Sequence, residues 1–208
     1  SWLTVQRLGR PHVTVKWAQS LDGRTAAADG TSQWITGPVA RADVHRRRAA
    51  SDAIVAGTGT VLADDPRLTA RDDHGEPLAT QPLRVVVGRT EIPAHARVLD
   101  SAAETLLLAT HDPGEVLDAL YARGRHRVWL EGGPTLAGAF LRHGLVDEVV
   151  AYLAPVLLGA GRHALDDAGI STLSRAIRLG VCDVTQIGAD LRLTGRPLPA
   201  DDPSIEKE

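Results

Sequence analysis

Methionine is absent from this chain of 208 residues, cysteine occurs once, and aromatic residues supply only 3% of it. The lone cysteine, Cys182, excludes a disulfide or a thiolate zinc site within one chain, and it reads as a small buried hydrophobe. No metal centre is expected. No apolar run approaches the ~20 residues of a membrane span, and the first residues lack the basic, apolar, small-residue order of a signal peptide. A formal net charge of -3 offers no excess of positive charge to nucleic acid or an anionic membrane. Together these absences leave a cytoplasmic protein with a small-molecule partner as the expectation. Because no methionine stands at position 1, a missing N-terminal portion is also expected.

What is present is an ordinary globular composition, 43% apolar and 24% charged. At this length one domain can bury roughly 70% of the unfolded chain's surface. Short β-branched runs alternate with helical stretches, the pattern of an α/β domain with a largely parallel sheet. Strands are predicted over 12–17, 53–56, 83–87, 105–109, 127–131 and 148–153. Helices are predicted from Thr36-Gly37-Pro38 towards Ser51, from Asp112-Pro113 to near Gly124, and after Gly132-Gly133-Pro134 to just before Gly144. In the last third, 177–184 and 191–194 flank Gly188-Ala189-Asp190 and read as an antiparallel hairpin closing a mixed sheet. From Pro197 the chain is charged and aperiodic, which predicts a frayed tail, with the domain ending at 198 and the tail at 199–208.

Chemistry is expected beyond the carboxyl ends of the strands, where loops and helix N-termini gather. On the first strand Val13, Val15 and Trp17 share one face and Thr14, Lys16 and Ala18 the other. Lys16 is an unexpected residue for a central strand; a side chain snorkelling to solvent is its bland alternative. Gly57-Thr58-Gly59-Thr60 permits close backbone approach to a ligand. It is not the dinucleotide fingerprint, since Leu62 stands where the third glycine belongs. The fifth strand ends on Glu131 and enters Gly132-Gly133-Pro134-Thr135, a turn that aims backbone N–H groups at an anion or simply tightens a strand-to-helix connection.

Arg46, Arg47 and Arg48 lie about 100° apart on a helix and cannot all face one ligand. Arg41 and Arg48 share a stripe, and either suits the crevice. Arg71 follows the turn Asp64-Asp65-Pro66, whose acids can fix backbone donors or pair with it. Two guanidiniums from separate segments suit a phosphate monoester. Trp34, in a loop-like Ser-Gln-Trp context, offers a flat face to a ring, whereas Trp17 and Trp129 read as buried.

These blocks resemble the reductase domain of the bifunctional riboflavin-biosynthesis deaminase/reductase family from about Pro11 to Thr194. The resemblance rests on Lys16-Trp-Ala-Gln-Ser-Leu-Asp-Gly-Arg-Thr-Ala26, Ser32-Gln-Trp-Ile-Thr36, Thr60-Val-Leu-Ala-Asp-Asp-Pro-Arg-Leu-Thr-Ala-Arg71, Glu131-Gly-Gly-Pro-Thr-Leu-Ala-Gly-Ala139 and Ala154-Pro-Val-Leu-Leu-Gly159. It implies a dihydrofolate-reductase-like three-layer α/β/α fold, with a mixed, mostly parallel sheet and a C-terminal antiparallel hairpin. It also implies NADPH-dependent reduction of the ribosyl group of 5-amino-6-(5-phosphoribosylamino)uracil to a ribityl group. Carried over by residue, it sets the cofactor against Ala18, Trp34, Thr60, Asp64 and the turn Gly133, Pro134, Thr135, Leu136, Ala137, Gly138 and Ala139. It sets the phosphosugar against Ser32, Arg48, Leu68, Arg71 and Glu131, choosing Arg48 over Arg41. Lys16 and Glu131 are then the candidate catalytic pair.

The chain departs from the family in having Gly88-Arg89-Thr90 where Asp-Ser or Asp-Thr is frequent, so Arg89 becomes the candidate for the cofactor's 2′-phosphate. A homodimer through the apolar C-terminal strands is expected from the family. The His-x-Glu and Pro-Cys-x-x-Cys zinc motifs of the deaminase half do not occur here, so a zinc deaminase domain N-terminal to this chain is expected, with a free-standing reductase as the alternative. Reduction of a related heterocycle (a diaminopyrimidine riboside phosphate or dihydrofolate) and a non-catalytic nucleotide-binding or dimerisation domain are the rival readings.

Overall fold

The computed structural model describes residues 2–199. Its elements run α1 (Trp2–Leu8), β1 (His12–Ser20), α2 (Pro38–Ala49), β2 (Ala53–Gly57), α3 (Thr58–Asp64), β3 (Leu83–Val87), β4 (Thr105–Leu108), α4 (Pro113–Tyr121), β5 (Arg127–Leu130), α5 (Pro134–Arg142), β6 (Glu148–Ala154), β7 (Leu179–Ile187) and β8 (Asp190–Pro197). One eight-stranded sheet has the order β4-β3-β2-β5-β1-β6-β8-β7. The pairings among the first six strands are parallel, while β8 is antiparallel to both β6 and β7. This is the dihydrofolate-reductase-like architecture expected from the sequence, with its hairpin at the C-terminal edge.

Two cores make the three layers. On one face Val13, Val15, Val55, Val85 and Leu130 pack against Val116, Leu117 and Leu120 of α4 and Ala137, Phe140 and Leu141 of α5. On the other, Ile54, Ala56, Trp129, Val150 and Tyr152 pack against Ala40 and Val44 of α2 and Val61 of α3. Parallel strands covered on both faces must be apolar on both, which explains the uniformly buried Ala53–Ala56 and Leu83–Val87. Arg84 is the exception, 0% exposed, and its guanidinium reaches Asp100 Oδ1 at 2.8 Å and the carbonyls of Asp100 and Ala103.

Several expectations are corrected. Thr36 does not cap α2; Gly37 is the N-cap, and its N–H donates to Asp190 Oδ2 of β8 at 2.7 Å. Gly57-Thr58-Gly59-Thr60, read as a place of close backbone approach to a ligand, instead opens helix α3, which ends at Asp65 in a left-handed conformation, φ 40°. Cys182 is exposed rather than buried. It lies on β7, the edge strand, most of whose residues are exposed. The chain stays in β8 through Pro197, and the Leu198 N–H donates to the Arg178 carbonyl, so fraying does not begin at Pro197. Residues 200–208 of the expected tail lie outside the described residues. Among the described residues, no helix is long and apolar enough to cross a membrane.

Candidate active site

Register brings the first functional pair together. Val15 pairs with Leu130 across β1 and β5, so the next residues, Lys16 and Glu131, follow side by side. Lys16 shares its face with Thr14, and Glu131 shares its face with Trp129, which packs in the α2 layer. Helix α2 lies over that face and brings Arg48 to Glu131: Nε donates to Oε1 at 2.5 Å and Nη2 to Oε2 at 2.8 Å. Trp129 Nε1 also donates to Oε1 at 2.6 Å. Lys16 Nζ stands 3.9 Å from Oε2 and 5.9 Å from the centroid of the Tyr152 ring. Tyr152 is itself anchored, its hydroxyl donating to Asp43 Oδ2 of α2 at 2.6 Å.

The charges follow from these contacts. Burial alone would raise the Glu131 pKa, but the Arg48 guanidinium, Lys16 and the Trp129 N–H outweigh it and hold the carboxyl at about 2. Burial pushes the Lys16 pKa down, against the pull of Glu131 and with the added repulsion of Arg48. The result is an ionised carboxylate fixed by three donors, beside an ammonium that gives up its proton more readily than a surface lysine.

These groups lie on the wall of a cavity of about 980 Å³ bounded by β1, α2, α3 and the loops after β1 and α3. Ala18, Ser32, Trp34, Thr60, Asp64, Leu68, Arg71, Gly133 and Pro134 line it too. Ser32 Oγ donates to Asp64 Oδ1 at 3.1 Å, and Thr60 Oγ1 accepts from Gly133 N–H at 3.0 Å, so both join separate segments of the rim. Leu68, at φ 49°, is buried, and Thr69 and Arg71 just after it line the cavity. Arg48 Nη1 donates to the Thr69 carbonyl at 3.0 Å, and Arg71 Nε to Thr69 Oγ1 at 3.3 Å. The turn acid Asp65 fixes a backbone donor as expected, accepting from Arg97 N–H at 2.8 Å.

Other expected residues stand away from the cavity wall. Thr135, Leu136, Ala137, Gly138 and Ala139 form the body of α5 behind the turn: Thr135 Oγ1 donates to Asp166 at 2.7 Å, and Ala137 and Gly138 are buried. Arg89 is exposed just beyond β3 and does not line the cavity.

Several cavity residues were passed over or not singled out by the sequence reading. Arg41, passed over in favour of Arg48, stacks its guanidinium 4.6 Å from the ring centroid of Trp34, an indole that is 68% exposed. His45 of α2 lines the cavity between Arg41 and Arg48. Its spacing of four from Arg41 and three from Arg48 was the available signal, since such residues share a helix face. Arg67, Arg97 and Arg162 add further positive charge to the wall. Among the described residues, no group of three His, Cys, Asp or Glu side chains is arranged to hold a metal ion.

Residues 11–193 match the profile of the RibD C-terminal domain family. The riboflavin biosynthesis protein RibD of Mycobacterium tuberculosis is 56% identical over 193 residues, covering 93% of this chain and 56% of that protein. Acinetobacter baumannii RibD superposes with a TM-score of 0.83 at 35% identity, covering 95% of this chain and 61% of that one. A Thermotoga maritima structure described as a diaminohydroxyphosphoribosylaminopyrimidine deaminase/5-amino-6-(5-phosphoribosylamino)uracil reductase gives 0.82 at 28% identity, covering 95% and 59%. The chain thus spans little more than half the length of these relatives. By the extent of the match and the shared fold, the chain belongs to the RibD C-terminal domain family, the reductase domain of riboflavin biosynthesis.

Proposed function

We propose that this chain reduces the ribosyl group of 5-amino-6-(5-phosphoribosylamino)uracil to the ribityl group, with NADPH as reductant. The observation that carries the reading is the Lys16, Glu131 and Arg48 cluster on the wall of a single cavity, a fixed carboxylate beside a proton donor of lowered pKa. The reaction named for the Thermotoga maritima relative supports it.

The residues fit a dinucleotide. A Cβ on Gly133 would lie 3.3 Å from Thr60 Oγ1, so the turn is kept bare where it meets the cavity. The exposed Trp34 indole offers a stacking face. The cavity is at the upper end of the about 300–1,000 Å³ usual for ligand sites, leaving room for two ligands in contact. Ala18, Trp34, Thr60, Asp64, Gly133 and Pro134 would hold NADPH, with Thr135 to Ala139 supporting the turn and Arg89 reaching the 2′-phosphate. When bound, NADPH supplies the hydride that reduces the anomeric carbon.

The chain's own residues prepare that carbon. Lys16 delivers a proton to the ring oxygen as the sugar opens. Glu131, kept ionised, accepts a hydrogen bond from a sugar hydroxyl and fixes the ring's position. Ser32, Leu68, Arg48 and Arg71 hold the phosphosugar, so binding energy remote from the reacting carbon orients it. The test is loss of absorbance at the reduced nicotinamide band with the substrate present and absent.

The same proposal includes a homodimer through the C-terminal strands, supported by the exposed Val181 and Val184 on edge strand β7. It also includes a zinc deaminase part of the same protein, supported by the two activities named for the Thermotoga maritima relative.

A further inference from the structure

The cations on the cavity wall are not equivalent. Arg48 faces Glu131 at both carboxylate oxygens and gives Nη1 to the Thr69 carbonyl, so its charge is already offset and its orientation fixed. Arg71 directs only Nε and Nη1 to Thr69 Oγ1 and the Gly75 carbonyl. Donors on a guanidinium number five, which leaves Arg71 with capacity for an anion. A phosphate dianion needs more than one such group.

His45 is the cavity residue placed to be the second. Its Nδ1 is buried and has no hydrogen-bond partner. The Thr69 backbone, whose carbonyl is already used by Arg48, favours the charged ring, but Nδ1 itself has no partner. A proton on Nδ1 would therefore be an unsatisfied buried donor, and the neutral ring carries its proton on Nε2, which is not among the buried unpartnered atoms of this cavity-lining residue. Burial and Arg48 lower the His45 pKa, Glu131 and Thr69 oppose them, and Arg71 adds to the lowering. The free imidazole is thus held neutral near pH 7, on a cavity wall that it shares with Arg71.

We propose that His45 is a substrate-binding residue whose Nε2 joins Arg71 in receiving the 5′-phosphate monoester. This rests on the function proposed above, so its test must be separable from turnover. The full chain and its H45A and H45Q variants are titrated calorimetrically with ribose 5-phosphate and, in parallel, with ribose. The H45A variant should lose about tenfold or more in ribose 5-phosphate affinity, as a hydrogen bond to a charged group implies, with ribose affinity unchanged. Because the glutamine amide also offers an N–H on a side chain of similar reach, H45Q should recover most of the loss. Nδ1 makes no hydrogen bond, so these variants break no internal contact of that kind.

Equal ribose 5-phosphate affinity of wild type and H45A would overturn the assignment, as would failure of the wild type to bind it. Substrate-dependent NADPH oxidation by the wild type is scored separately. A His45-dependent affinity without turnover would remove the proposed function and leave the phosphate site. Turnover with a His45-independent affinity would do the reverse.

Discussion

Arg48 and Glu131 face each other at two points, Nε to Oε1 at 2.5 Å and Nη2 to Oε2 at 2.8 Å, with both side chains largely withdrawn from solvent. A charge pair this buried is costly to break from one side, because the remaining charge has no water to replace its partner. Replacing Arg48 by leucine is expected to destabilise the fold by about 3–5 kcal/mol. Urea unfolding of the two proteins measures it.

The same pair sets a pH dependence. Glu131 has its pKa at about 2 in the folded chain against an ordinary 4.5. A depressed carboxyl contributes stability above the ordinary value and loses it as pH falls through the window from 4.5 towards 2. Glu131→Gln lacks this titration. The difference in unfolding free energy between wild type and E131Q should therefore shift by on the order of 3 kcal/mol against the wild type across that window. A difference independent of pH would mean that Glu131 is not held ionised by its partners.

At the rim, Trp34 should report on the cofactor. The chain has four tryptophans; Trp17 and Trp129 lie in or against the cores, Trp2 is exposed on α1 away from the cavity lining, and Trp34 is exposed at the cavity beneath Arg41. NADPH is expected to quench tryptophan emission in the wild type and to do so much less in Trp34→Phe. Undiminished quenching in that variant would separate Trp34 from the cofactor site.

Cofactor selection tests Arg89. Its guanidinium is exposed beyond the end of β3, where it can meet a 2′-phosphate but has no counterpart in NADH. Arg89→Ala should weaken NADPH by about 1.5–3 kcal/mol, the range for a hydrogen bond to a charged group, and leave NADH nearly unchanged. Dissociation constants for both cofactors decide it, and equal effects would take Arg89 out of the site.

Much of this arrangement was legible in the sequence because periodicity and turn chemistry were locally consistent. The alternation of Val13, Val15 and Trp17 with Thr14, Lys16 and Ala18 gave the two faces of β1, and Asp112-Pro113 gave the start of α4, where the Asp112 carboxylate accepts from Gly114 N–H at 2.7 Å. What escaped depended on contacts remote in sequence. Thr36 had the right chemistry for a cap, but Gly37 is the N-cap, and its N–H is satisfied by Asp190, 153 residues away. Arg84 in an apolar strand gave no sign that carbonyls beyond β3 would receive its Nη2. Nothing local to Arg48 showed that it would pair with Glu131, 83 residues away. Cys182 was misread because burial depends on sheet order, and nothing local marks β7 as the edge.

The central claim is that Lys16 protonates a sugar whose anomeric carbon is reduced in this cavity, and the most direct measurement is NADPH oxidation by wild type and Lys16→Met with 5-amino-6-(5-phosphoribosylamino)uracil. The wild type should consume NADPH only when the substrate is present, and K16M should lose about a hundred- to ten-thousand-fold in kcat, the range for a positioned general acid. Equal kcat in the two proteins, or no substrate-dependent oxidation by the wild type, would contradict the account.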